Sequence, residues 1–222
     1  MKKEVDLALK KQTLIASIVA SAVWLVSFVI FIPLACMGKV PNGASRYLSY
    51  VSVLVMIWIP FILVLLRVRF DFSVLVAYLV FIFLATLAGS GWSVYQFVSW
   101  YDTVIHFFSG VLIGLVGYTL ISRNSNAKLE YVWLFIFIVG FTMLGGGIWE
   151  IYEFAGDCLT GSDMQITEGF VGQKAVWDTM IDIVCDFVGG IIAATCCMFW
   201  ERKKRRENIE QADRENPAEN KG

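Results

Sequence analysis

Apolar residues fill the chain in six long runs, separated by short polar stretches. The runs are Leu14–Cys36, Tyr47–Leu66, Phe72–Ser90, Asp102–Ser122, Tyr131–Ala155 and Trp177–Trp200. Each is close to the ~20 residues an α-helix needs to cross a bilayer. The pattern predicts an all-α, polytopic transmembrane helical bundle of six spans over residues 14–200. A polar segment, 1–13, precedes it. A charged tail, 201–222, follows and has no apolar face, so it is read as disordered. The first run is an uncleaved span. Ala20-Ser21-Ala22 mimics a cleavage site, but the apolar stretch before it is shorter than the roughly 7–15 residues of a signal-peptide core. Pro60 is expected to bend the second span. Residues 91–101, with Trp92, Tyr95, Trp100 and Tyr101, have the aromatic character of an interfacial segment.

Composition agrees. The 222 residues are 58% hydrophobic and only 17% charged, whereas a soluble domain carries about 25% charge. The distribution of charge sets the orientation. With the N-terminus inside, thirteen Lys and Arg flank the inner ends of the spans. Only Lys39, Arg46 and Lys174 lie in outer loops. Both termini are therefore expected in the cytoplasm. No basic domain face suggests nucleic acid. Arg202–Arg206 reads as a stop-transfer anchor beside anionic lipid. None of the five cysteines forms a C-x-x-C pair, which excludes a zinc ribbon. Cys36 and Cys158 both fall on the outer side, where free thiols are favoured over a disulfide.

Polar residues inside the runs change the picture. In the sixth span Asp178, Asp182 and Asp186 recur every four residues, on one helical stripe. An Asp in hydrocarbon costs roughly 2.5–3.5 kcal/mol and normally faces a bundle interior or a water-filled cavity. Asp186 lies about 12 Å along the helix from Asp178, and a protonated structural Asp is an alternative there. The fourth span opens with Asp102 and His106 on one face, followed by Gly110, Gly114 and Gly117. The fifth ends with Glu150, Glu153 and Asp157 on the stripe of Gly146. Given the orientation, all three sets fall toward the outer leaflet.

The expected cluster is thus Asp102, Glu150, Glu153, Asp178, Asp182 and Asp186 with His106. None of the three spans contributes a Lys or Arg to it. Ionised carboxylates without cations repel at low dielectric. Either several are protonated, or cations bind, or water enters. Carboxylates with one imidazole suit Mg²⁺, Mn²⁺ or Ca²⁺ and can accept Zn²⁺. A single His excludes a pair of Glu-x-x-His motifs. Asp102, Asp157 and Asp178 can equally be read as interfacial caps.

Tyr-Asp-x-x-x-His-Phe at 101–107, Glu-x-x-Glu at 150–153 and Trp-Asp-Thr-x-x-Asp at 177–182 resemble the YjdF-like family of bacterial inner-membrane proteins. The Asp-x-x-x-His element is also similar to VanZ-like membrane proteins. The resemblance covers roughly residues 90–195 and implies a small multi-pass protein of the bacterial plasma membrane. Where that family has Lys after the first Asp, this chain has Thr103.

Three functions fit these residues. The first is a cation-dependent enzyme acting on lipid or lipid-linked substrates, with the metal activating water and His106 or Glu153 as general base. Ser109, one turn from His106, reads as a packing residue, and no nucleophile motif is present. The second is a proton- or cation-coupled transporter. The third is a non-catalytic envelope protein with a structural polar cluster.

Overall fold

The computed structural model describes residues 2–36, 43–124, 129–161, 164–165 and 171–215, with their side chains except at 2–5, 31–36, 43–50, 160, 175 and 212–213. The helices are α1 (Lys2–Cys36), α2 (Gly43–Leu65), α3 (Phe72–Ile82), α4 (Val94–Phe97), α5 (Tyr101–Asn124), α6 (Tyr131–Thr160) and α7 (Trp177–Glu215). Among the described residues there is no strand. Five apolar stretches are long enough to cross a membrane: Asp6–Ile30, Phe72–Gly91, Tyr101–Asn124, Tyr131–Leu159 and Trp177–Gln211. The second apolar run appears as a shorter stretch, Val51–Leu65, inside α2, which contains Pro60. The Cys36 side chain lies outside those described, and Cys158 is a free, exposed cysteine.

The outward face of α6 shows why the bundle belongs in lipid. Val132, Ile136, Leu144, Ile148, Ile151 and Phe154 are all exposed. Such a continuous apolar face would be a liability in water, and hydrocarbon solvates it.

Helices α5, α6 and α7 pack as one unit. Tyr118, Leu134, Ile138, Ala193, Ala194 and Cys197 form its buried core. Nearer the other end the seam between α5 and α7 is made by glycine. A Cβ on Gly110 would collide with the Asp186 backbone, and one on Gly189 with the Phe107 carbonyl oxygen. Two small residues facing opposite backbones let the helices approach as closely as glycine allows. Helices α1 to α3 form a second group around Val53, Ile57 and Ile82, with Trp24 and Tyr78 against them.

The third run departs from a simple span. After Ile82 it becomes π-helical over Phe83–Gly91, closing with Trp92 N–H on the Leu87 carbonyl at 2.9 Å. Ser93 follows with φ +68°, a left-handed conformation disfavoured for a residue with a Cβ. Trp92 Nε1 donates to Ser27 Oγ at 2.9 Å, pinning the turn to α1. The short α4 then carries Tyr95 back toward α5, where its ring meets Tyr101 edge-on at 5.3 Å. The expected interfacial segment is therefore a built turn held between α1 and α5.

The charged tail departs from expectation. Instead of a disordered segment after Trp200, α7 continues to Glu215. The span has already met the cost of helix nucleation, and side chains support the extension. Arg205 bonds Glu201 Oε1 at 3.2 Å and the Leu129 carbonyl at 2.7 Å, and covers the Tyr131 ring at 4.8 Å. The Tyr118 hydroxyl donates to Glu201 at 3.0 Å. At the same end Arg69 bonds both oxygens of Asp6, at 2.8 and 2.9 Å, and Arg123 pairs with Asp71. The basic ends of α1, α5 and α7 thus meet at one face, and the acidic stripes lie at the other end of the α5–α7 unit.

Candidate functional site

His106 is the centre of the site. It sits one turn into α5, 5% exposed, and both ring nitrogens face carboxylates. Nδ1 stands 3.3 Å from Asp186 Oδ2 and 4.0 Å from Glu150 Oε1. Nε2 stands 3.8 Å from Asp102 Oδ1 and 3.9 Å from Asp182 Oδ2. The i, i+4 spacing of Asp102 and His106 and of Asp182 and Asp186 brings these contacts together. One pair on each helix closes around one imidazole.

Asp186 is fixed more firmly than the others. Its Oδ1 accepts a hydrogen bond from Ser109 Oγ, and its Oδ2 faces His106. Behind it lies Gly146 of α6, where a Cβ would approach Oδ2 to 2.5 Å. The Ser109 oxygen is also 2.8 Å from the His106 carbonyl. Asp186 is 1% exposed and so belongs to a closed hydrogen-bonded frame. With Asp186 at Nδ1, Nε2 is the nitrogen turned toward Asp102 and Asp182, and a carboxylate behind the ring is the usual partner of a ligating imidazole.

Asp182 and Glu150 are the unmet members. Asp182 is 2% exposed and Glu150 5%. Asp182 Oδ2 and both oxygens of Glu150 have no hydrogen-bond partner. Buried polar groups are nearly always paired, because an unpaired one costs its full desolvation penalty. Asp102, His106 and Asp182 each offer a ligand atom, all within 4.8 Å of one another.

The remaining expected residues stand apart. Glu153 is buried, and its Oε1 accepts from Trp149 Nε1 at 2.8 Å. Asp178 lies in the first turn of α7, outside the Asp102–His106–Asp182 group. Asp157 accepts from the Met164 and Gln165 amides at 2.7 and 3.1 Å. Gln165 Nε2 in turn bonds Thr179 Oγ1 at 2.9 Å, so Asp157 ties the loop to the start of α7. In the sequence Ser109 reads as a packing residue and Tyr95 as one of four interfacial aromatics. Their roles depend on which neighbour each meets across the bundle. Burial, with the charges of Asp102, Glu153 and Asp182 beside it, pushes the Tyr95 phenol well above its ordinary range. It stays a neutral donor at any physiological pH.

Fold and site define a helical membrane protein with a buried carboxylate–imidazole centre at one end of a three-helix unit. The chain belongs to the family described as predicted membrane protein (DUF2238), whose model matches residues 19–203. The motifs at 101–107, 150–153 and 177–182 all fall inside that match, so the expected membership of a membrane-protein family holds. The chain is similar to an uncharacterised protein of Thermotoga maritima, 26% identical over 110 residues, 49% of this chain and 53% of that protein. It therefore spans about half the length of the curated relative it matches. No solved structure matches.

Proposed function

We propose that Asp102, His106 and Asp182 bind one divalent cation in the outer-leaflet half of the bundle, and that the centre is a metal-dependent catalytic site. The observation that carries this reading is Asp182 Oδ2. It is buried, accepts no hydrogen bond, and faces the His106 nitrogen that Asp186 leaves free. Three atoms with these separations have an equidistant point no more than about 2.5 Å from each. That is within the range for Ca²⁺–O contacts and a few tenths of an ångström beyond those for Zn²⁺ or Mg²⁺. Small side-chain movements therefore suit Mn²⁺ or Mg²⁺ as well.

A bound cation of this kind lowers the pKa of water or polarises a phosphoryl or acyl oxygen. Glu150, close to the same imidazole and without a partner, is better placed to take a proton than Glu153, which Trp149 already occupies. His106 serves as ligand in this arrangement, and Asp186 keeps its ring in position.

The reading includes six spans with both termini cytoplasmic. The Lys and Arg distribution supports it, and so does the gathering of Asp6, Arg69, Arg123 and Arg205 contacts at one face. The test is binding of Mn²⁺ to the purified full-length protein by isothermal titration and by thermal melts with and without chelator. Wild type should be stabilised by Mn²⁺ and Asp182→Asn much less. A wild type indifferent to both Mn²⁺ and chelator, with Asp182→Asn more stable than wild type, would show carboxyls that are merely protonated, and would remove the metal reading.

A further inference from the structure

Beside His106 the bundle holds a cavity of about 110 Å³ between α3 with its π-helical extension, α5 and α6. Ala85, Ile105, Ile113 and Trp149 are among its apolar lining, and Tyr95 of the short α4 also lines it. His106 and Ser109 form its polar side. Thr86 also lines it, but its hydroxyl is already bonded to the Ile82 carbonyl at 2.6 Å. Gly145 and Gly146 line it with backbone alone. The π-helical stretch of the third span supplies Ala85 and Thr86 to the lining, and such distortions are frequent at functional sites.

The cavity and the centre share one residue: His106 lines the cavity, and its Nε2 faces Asp102 and Asp182. The rest of the lining is chiefly hydrocarbon, and a water away from its few polar groups would lack the two to four partners it needs. An apolar cavity of roughly 150 Å³ accepts benzene, so this one holds about four carbons. We infer that the cavity seats a short hydrocarbon segment of an amphiphile whose oxyanion head is held at the Asp102–His106–Asp182 centre. The inference rests on the metal reading for the head and on the cavity alone for the chain. It makes the substrate class lipid-like, with an apolar segment next to the reacting group, rather than a free polar metabolite. Both parts of such a molecule are available where the site lies, within the membrane-spanning length of α5 and α6.

The test is photo-crosslinking of the full-length protein in lipid nanodiscs. The probe is a butylphosphonate bearing a diazirine at the chain end, with Mn²⁺ or with chelator. Label mapped by peptide mass spectrometry should fall on Ala85, Ile113 or Trp149. It should be displaced by unlabelled butylphosphonate and poorly by methylphosphonate. Burying each methylene is worth about fourfold. Filling the cavity with Ala85→Leu and then Ala85→Phe should reduce labelling in steps, to about a tenth or less, while Mn²⁺ binding persists. That persistence shows that the variants are folded. Label at these residues only with Mn²⁺ supports chain seat and metal together. Label there regardless of Mn²⁺ supports the seat and removes the metal reading. Label confined to lipid-facing residues such as Val132 and Ile136, or undiminished in both variants, overturns the seat whether or not Mn²⁺ binds.

Discussion

His106 Nδ1 lies 3.3 Å from Asp186 Oδ2, across a helix seam only glycine permits. The pair are 80 residues apart in the chain. They meet because Gly110 presents no side chain to the Asp186 backbone and Gly189 none to Phe107. Asp186 therefore acts on the site through His106, by fixing which nitrogen is free. Asp186→Asn should retain Mn²⁺ binding but weaken it about 10–100-fold, the usual cost of losing a carboxylate behind a ligating His. Titration calorimetry reads this directly. Loss of Mn²⁺ affinity as complete as in Asp182→Asn would make Asp186 a ligand.

Asp102→Asn and Asp182→Asn should each reduce the stability gained from Mn²⁺. A site filled at 100 times Kd adds about 2.7 kcal/mol to the folded state, visible as a melting shift that chelator reverses. The shift should shrink on acidification, because protons compete with the cation for the same lone pairs. Melts at pH 7.5 and pH 5.5, with and without Mn²⁺, check the sign. A gain that grows at pH 5.5 would contradict metal ligation.

The glycine seam gives a prediction independent of any ligand. Gly110→Ala or Gly189→Ala should destabilise by about 1–3 kcal/mol, because a backbone must move to admit the methyl group. Gly140→Ala is the control. A Cβ there meets nothing within 4 Å, so the gain in helix propensity, up to about 1 kcal/mol, is free to appear. Denaturation in mixed micelles should rank the variants in that order.

Orientation is checked by cysteine labelling in a cysteine-free background. Leu159→Cys, at the exposed end of α6, should react with an impermeant reagent added outside. Leu129→Cys should react only after the membrane is opened. The reverse pattern would place the acidic end of the bundle in the cytoplasm.

Much of this was readable before the structure because it is local. Four-residue spacings put Asp102 with His106, and Asp182 with Asp186, on single helix faces whatever surrounds them. Long apolar runs report membrane spans without reference to topology. What was not readable depends on neighbours. Glu150 and Glu153 occupy one stripe; Trp149 reaches Glu153 within α6 at i, i+4, but only the packing of α6 against α5 leaves Glu150 facing His106. Ser109 reads as one more small residue until Asp186 arrives from α7. The π-helical stretch leaves no periodic mark, since its apolar composition is that of an ordinary span. The extension of α7 to Glu215 is equally hidden, because a charged segment with no apolar face reads as disorder. Glu201 and Arg205 have partners on α5 and α6 that a single segment does not show.

That extension gives the molecule a lever. From Trp177 to Glu215 α7 is one unbroken helix, 39 residues and so about 58 Å at 1.5 Å per residue. One arm carries Asp182 and Asp186, the fulcrum is the Gly110–Gly189 crossing, and the other arm carries Arg205 against Tyr131. A stiff rod cannot tilt at one arm alone. If a cation draws Asp182 toward His106, Arg205 should move with it, at the far end of the same helix.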